Sequence, residues 1–138
     1  MPNSSNDSRS KKGGPPFLSF AQVEALHRVA IEAFGGTLGI RDRGALEAAI
    51  FHPQNVYFYG QGDLYELAAA YAYHIAESQA FLDGNKRTAI SAAFTFLEGN
   101  GIATDVDPGV VYEAMIAIAE HRMTRSELVA LFRRLLGR

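Results

Sequence analysis

The stretch Gln79-Ala80-Phe81-Leu82-Asp83-Gly84-Asn85-Lys86-Arg87-Thr88 gathers the residues best suited to chemistry in this 138-residue sequence. A polar, glycine-containing turn interrupts two apolar runs and opens directly into a helix start. The first amides of a helix lack intrahelical acceptors and the macrodipole adds about half a positive charge, so such a turn binds anions. Here those amides belong to residues such as Asn85, Lys86 and Arg87, and two cationic side chains reinforce them. Cations at a helix N-terminus oppose the dipole, costing a few tenths to about 1 kcal/mol each unless an anion offsets them. Their position therefore argues for a ligand. Asp83 is the only acid of the stretch. Beside a phosphate it can hold Mg²⁺, which takes one or two carboxylates together with phosphate oxygens and waters. Alternatively it caps the Asn85 helix or pairs with Arg87. Phe81 reads as a core anchor that fixes the loop.

Composition narrows the rest. A length of 138 residues fits one domain, with residues 1–16 as a disordered tail too poor in apolar side chains to offset backbone ordering, and 17–138 as the folded unit. Thirteen Lys and Arg against fifteen Asp and Glu give a formal charge of −2, without the basic excess of a protein that binds phosphate backbones, so direct nucleic-acid binding is not expected. The absence of Cys removes disulfides, thiolate zinc sites and cysteine nucleophiles, and fits a reducing cytoplasm. No two of His27, His52, His74 and His121 have the spacing of a zinc-binding helix. No apolar run approaches the roughly 20 residues that span a bilayer, so no membrane segment is expected, and the polar start leads us to expect no secretory signal.

The elements that must position the turn are helical, giving an all-α fold, a bundle of about six helices. Ser19 with Gln22, Asp63 with Glu66 and Thr124 with Glu127 have capping-box spacing. Gly35-Gly36 and Gly99 are stops, Asp42 caps a second helix, and Asp107-Pro108 opens the fifth. Pro53 is expected to end the second helix near His52. The aromatic-rich segment Gln54–Gly62 then reads as a flap or small hairpin, which either plugs the core edge or contacts substrate. Two helices, Leu64 to about Ser78 and one from Asn85 to Gly99, are apolar enough to be central.

With its setting between those two helices, the segment Phe81-Leu82-Asp83-Gly84-Asn85-Lys86-Arg87-Thr88-Ala89 resembles the signature of the Fic/Doc superfamily, in the branch of death-on-curing (Doc-type) toxins of bacterial toxin–antitoxin modules. Gly35-Gly36, Ile40-Arg41-Asp42-Arg43-Gly44 and Phe96-Leu97-Glu98-Gly99-Asn100-Gly101 extend the likeness over roughly residues 19 to 136. The resemblance implies an anion hole at Gly84, Asn85, Lys86 and Arg87 for the phosphates of ATP or another nucleotide, with Asp83 on Mg²⁺. Nucleotidyl-transferring members carry glycine at the position of Lys86 and a further arginine at that of Ile90. Lys86 and Ile90 therefore favour the branch that phosphorylates a translation elongation factor. A lysine in the anion hole also implies a different nucleotide orientation.

One position departs from the pattern. The family's general base is a histidine two residues before the phenylalanine, where this chain has Gln79. A neutral amide is no base near neutral pH, and losing one typically costs about 10²- to 10⁴-fold in rate. Phosphoryl transfer relies largely on positioning and charge neutralisation, so Gln79 can still orient a hydroxyl beside Lys86 and Arg87. Around an ideal helix His74 and Glu77 face elsewhere; His74 reads as a hydrogen-bonded interior side chain and Glu77 as solvated or paired with a cation. Arg41, Asp42 and Arg43 form either a solvated corner or a contact to target or nucleotide. His27 and His121 carry no functional expectation. The leading expectation is a toxin that phosphorylates a Ser or Thr hydroxyl of a cytosolic protein and is restrained by a separate antitoxin, whose peptide would lie in the groove beside the flap. The alternatives are a catalytically impaired nucleotide- or partner-binding module, and a nucleotidyl (AMP) transferase.

Overall fold

Helix starts follow the capping chemistry. In the computed structural model, which describes residues 14–60 and 62–137, Ser19 Oγ accepts from the Gln22 amide at 3.1 Å while Gln22 Oε1 accepts from the Ser19 amide at 2.7 Å. Helix α1 follows, Phe20–Phe34, and closes on Gly35 with φ of 89°. Asp42 Oδ1 accepts from the Ala45 amide and opens α2, Arg43–Gly60. The Asp63 and Thr124 boxes open α3, Leu64–Ser78, and α6, Arg125–Leu136. Helix α4 spans Asn85–Gly99, and α5, Pro108–Ala119, starts on the Asp107 carboxylate. These six helices make an all-α bundle among the described residues, and none is long and apolar enough to cross a membrane.

Helix α3 is the axis, packing against α2, α4, α5 and α6. Leu67 to Ala72, Ile75 and Ala76 are all buried on it, facing Ala89, Ala92, Ala93, Phe96 and Leu97 of α4. Alanine on both partners lets the backbones approach closely, which fixes the turn between α3 and α4 on a well-packed base.

The expected flap at 54–62 is corrected: α2 does not stop at His52 but runs through Pro53 to Gly60. Proline inside a helix forfeits one hydrogen bond and strains the preceding turn, about 3 kcal/mol. Burial outweighs it here. Pro53 is itself buried, Val56 and Tyr57 pack against the core, and Phe17 meets the Tyr57 ring edge-on at 5.9 Å while stacking on Phe96. The aromatics taken as strand formers thus lie on a helix. Residues 1–13 of the expected tail lie outside the described residues; Gly14 is buried and so close to the Tyr57 ring that a Cβ there would clash.

Arg125, at the start of α6, donates through Nη1 to Nε2 of His52 on α2 (3.0 Å) and of His74 on α3 (3.2 Å). One guanidinium nitrogen thus bridges two neutral imidazoles whose ring centroids are 3.8 Å apart. Burial, His52 and Arg125 together hold His74 down at about 4, and burial and Arg125 also lower His52. Glu77 lines the same cavity and the Tyr73 ring meets His74 edge-on. In the unfolded chain a histidine titrates near 6.5. Between pH 6.5 and 4 the unfolded state therefore binds more protons, and stability falls as pH falls through that window. Partial exposure discounts the effect to roughly 1 to 2 kcal/mol. Urea denaturation at pH 7 and pH 4.5 should show this loss, and His74→Gln should flatten it.

Candidate functional site

The turn between α3 and α4 is held from three sides before any ligand is considered. Residues 39–42 run antiparallel to it: the Arg41 and Asp42 amides donate to the Ala80 carbonyl at 2.7 and 3.0 Å, and the Leu82 amide donates to Gly39. Arg41 Nη2 reaches the Phe81 carbonyl at 3.2 Å, and Arg43 pairs with Glu47 and covers the Phe20 ring. All three side chains of this charged segment stay exposed while they make these local contacts. From below, His27 is fully buried, stacks on Phe81 with centroids 3.7 Å apart, and donates from Nε2 to the Asp83 carbonyl at 2.8 Å. Sequence reading missed it. The available signal was a histidine on the apolar stripe Val23, His27, Ala30, where a polar group needs a buried partner.

Asn85 is the third brace. Its buried side chain accepts from the Phe81 amide at 2.9 Å and returns a bond to the Phe81 carbonyl at 3.0 Å. The carboxamide is therefore committed to the loop, and what Asn85 can offer a ligand is the backbone N–H expected of it. Phe81 is the fully buried anchor expected of it.

What these braces present is a cleft of about 350 Å³ lined by Asp83, Gly84, Asn85, Lys86 and Arg87 on one side and by Phe34, Gly35, Gly36 and Tyr112 on the other. Gly84, with φ of 77°, is the N-cap of α4 and gives no side-chain cap. Among the described residues no acceptor meets the amides of Asn85, Lys86 or Arg87; the first bonded amide of the helix is Thr88 to the Gly84 carbonyl. Neither Lys86 nor Arg87 forms a salt bridge among the described residues. Arg87 instead has its guanidinium 3.7 Å from the Phe34 ring centroid and 4.7 Å from that of Tyr112, two cation–π contacts that fix the planar group at the cleft without neutralising it.

Asp83 takes neither of its ordinary roles. It does not cap α4 and does not pair with Arg87; its Oδ2 accepts from the Thr37 amide at 2.7 Å. Gly36, with φ of 112°, makes this approach possible, since a Cβ there would stand 3.0 Å from the Asp83 Cβ. The exposed carboxylate keeps Oδ1 without a hydrogen-bond partner among the described residues, a donor that fits a hard, largely hydrated cation such as Mg²⁺.

Gln79 stands apart from this group. It ends α3 in a left-handed conformation, φ 53° and ψ 36°, its Nε2 donates back to the Ala76 carbonyl at 2.9 Å, and it does not line the cleft. His74 is half-buried and hydrogen-bonded, as expected of it, and Glu77 is exposed.

The Fic/DOC family model matches residues 17–97, from the start of the folded part to the last turn of α4. The chain is 44% identical over 92 residues to "Toxin Doc" of Mycolicibacterium smegmatis, covering 63% of this chain and 70% of that protein. It is 33% identical over 121 residues to "Protein kinase doc" of Escherichia phage P1, covering 87% of this chain and 95% of that protein. With the motif turn, the helical bundle and matches of this extent in agreement, the chain belongs to the Fic/DOC family.

Proposed function

We propose that this protein is a death-on-curing-type toxin of a toxin–antitoxin module, which transfers the γ-phosphoryl group of ATP or a similar nucleotide to a Ser or Thr hydroxyl of a cytosolic protein. The observation that carries the reading is the set of amides at 85–87 that are unpartnered among the described residues, flanked by Lys86 and Arg87, which have no counter-charge among those residues. The names of the two relatives, one a toxin and one a protein kinase, support it. By family resemblance the target is a translation elongation factor, and a neutralising antitoxin is the partner.

In this reading the Asn85, Lys86 and Arg87 amides and the Gly84 turn bind the terminal phosphates, and Lys86 supplies a point charge to them. Arg87, held against Phe34 and Tyr112, donates to the equatorial oxygens as charge shifts during transfer. Asp83 would hold Mg²⁺, which when bound neutralises phosphate charge. The hydroxyl oxygen forms the new bond to the γ-phosphorus, the bridging oxygen leaves with the nucleoside diphosphate, and the hydroxyl proton passes to solvent or phosphate, because Gln79 cannot take it. Lys86 and Ile90, in place of the glycine and arginine of nucleotidyl-transferring members, favour the γ- over the α-phosphate.

Incubation of the protein with its target and labelled ATP should leave label on the target from the γ- but not the α-position, and only with Mg²⁺ present. Label from the α-position would establish nucleotidyl transfer instead. The second reading, a binding module without catalysis, is favoured by the turning of Gln79 to the Ala76 carbonyl. It predicts nucleotide binding with no label transferred from either position.

A further inference from the structure

One peptide of the motif turn decides whether an anion in the cleft meets a donor or an oxygen. The Asp83–Gly84 peptide is trans, like every described peptide bond, so its carbonyl and its N–H point in opposite directions. The carbonyl points inward, to Nε2 of His27 at 2.8 Å, and no other group among the described residues meets it. The Gly84 N–H therefore points outward. It has no acceptor among the described residues, and Gly84 lines the cleft while His27 does not.

The backbone alone does not enforce this choice. Gly84 has φ of 77° and ψ of 19°, the angles of the third residue of a type II turn. Half a revolution of the preceding peptide gives the type I angles, with φ of about −90°, which glycine adopts as readily. In that form the same peptide dipole, about 3.5 D, would face the cleft with its oxygen end. Something outside the turn must select the orientation. His27 is placed for it: the side chain is 2% exposed, and its ring lies parallel to that of Phe81 with centroids 3.7 Å apart, which keeps the imidazole against the carbonyl. A carbonyl only accepts, so the hydrogen is on Nε2. Gly84 closes the contact from above. A Cβ there would stand 3.6 Å from His27 Nε2 and 3.1 Å from Cδ1 of Ile31, one turn further along α1.

We propose that His27 is a positioning residue that locks the Asp83–Gly84 peptide with its N–H toward the anion. Gly84 then adds a fourth donor to the amides of Asn85, Lys86 and Arg87, and the Asp83 carbonyl oxygen is kept away from the phosphates. This rests on the phosphate-binding reading above and goes beyond it in naming what sets the polarity of the loop. His27 acts from beneath the peptide, without touching the ligand.

The test uses the full chain, inorganic tripolyphosphate with Mg²⁺ as the probe, and two variants. His27→Phe keeps a ring against Phe81 and removes the donor. His27→Gln restores a donor, since its side-chain nitrogen lies as many bonds from the backbone as Nε2. By calorimetry His27→Phe should bind tripolyphosphate about tenfold more weakly or worse, the order of one hydrogen bond to a charged group, and His27→Gln should recover most of that loss. In ¹⁵N–¹H spectra the Gly84 amide of the parent should move and saturate with those of Asn85, Lys86 and Arg87. In His27→Phe it should stay still while the other three move. A folded His27→Phe protein that keeps the affinity and the Gly84 response of the parent overturns the lock, as do variants that melt lower with the Gly84 response unchanged. A parent whose Gly84 amide stays still while the other three saturate also overturns it, whether or not a variant folds. Absence of binding by the parent, with no amide moving, removes the phosphate grip itself and the lock with it.

Discussion

Arg87→Ala is expected to lower phosphoryl transfer by about 10³- to 10⁵-fold, the range for an arginine that meets transition-state charge on a phosphoryl group. The fold should barely notice. Arg87 makes no salt bridge among the described residues, and its two aromatic contacts are worth roughly 0.5 to 1 kcal/mol each at partly exposed sites. Arg87→Lys should recover little of the rate, because an ammonium group lacks the planar guanidinium's fixed fork of donors. Growth arrest on expression, and label transfer in vitro, should be lost together in both variants while circular dichroism and melting stay those of the parent. Persistent arrest by a folded Arg87→Ala protein would remove Arg87 from the chemistry.

Gln79→His is expected to act in the opposite direction, raising transfer by about 10²- to 10⁴-fold, the usual contribution of a general base. Backbone geometry favours the exchange. Position 79 is left-handed, a conformation in which histidine is several-fold enriched among non-glycine residues and which glutamine seldom adopts. The new imidazole need only give up the Gln79 bond to the Ala76 carbonyl, an acceptor already within the last turn of α3. The rate of the variant should then rise with pH through the histidine range, near 6.5, while the slow parent reaction shows no such step. A variant that folds, binds nucleotide as well as the parent and transfers no faster would mean that proton removal is not what limits this protein.

The sequence was most informative where the interaction is local. Each helix start read from a capping residue, at Ser19, Asp42, Asp63, Asp107 and Thr124, is found, because the cap and the amide it satisfies lie within three residues of each other. Pro53 misled for the same reason. Its local preference is real, but the packing that overrides it comes from Phe17 and Phe96, distant in sequence. The motif turn was legible as an anion site, yet what holds it was not. His27 is 56 residues from the Asp83 carbonyl it supports, and Tyr112 lies a helix away from Arg87. Periodicity tells which face of a helix is buried and says nothing of which faces meet. The bridge of His52 and His74 through Arg125 is the same case, three residues that no spacing rule connects.

The α4 start as a polyphosphate grip is most directly tested by the amide signals of the protein itself, in a ¹⁵N–¹H correlation spectrum titrated with ATP and Mg²⁺. The amides of Asn85, Lys86 and Arg87 should shift most and saturate together, with Thr88, already bonded to Gly84, moving less. Saturating shifts elsewhere with these three unmoved, or no shifts at millimolar nucleotide, would contradict it.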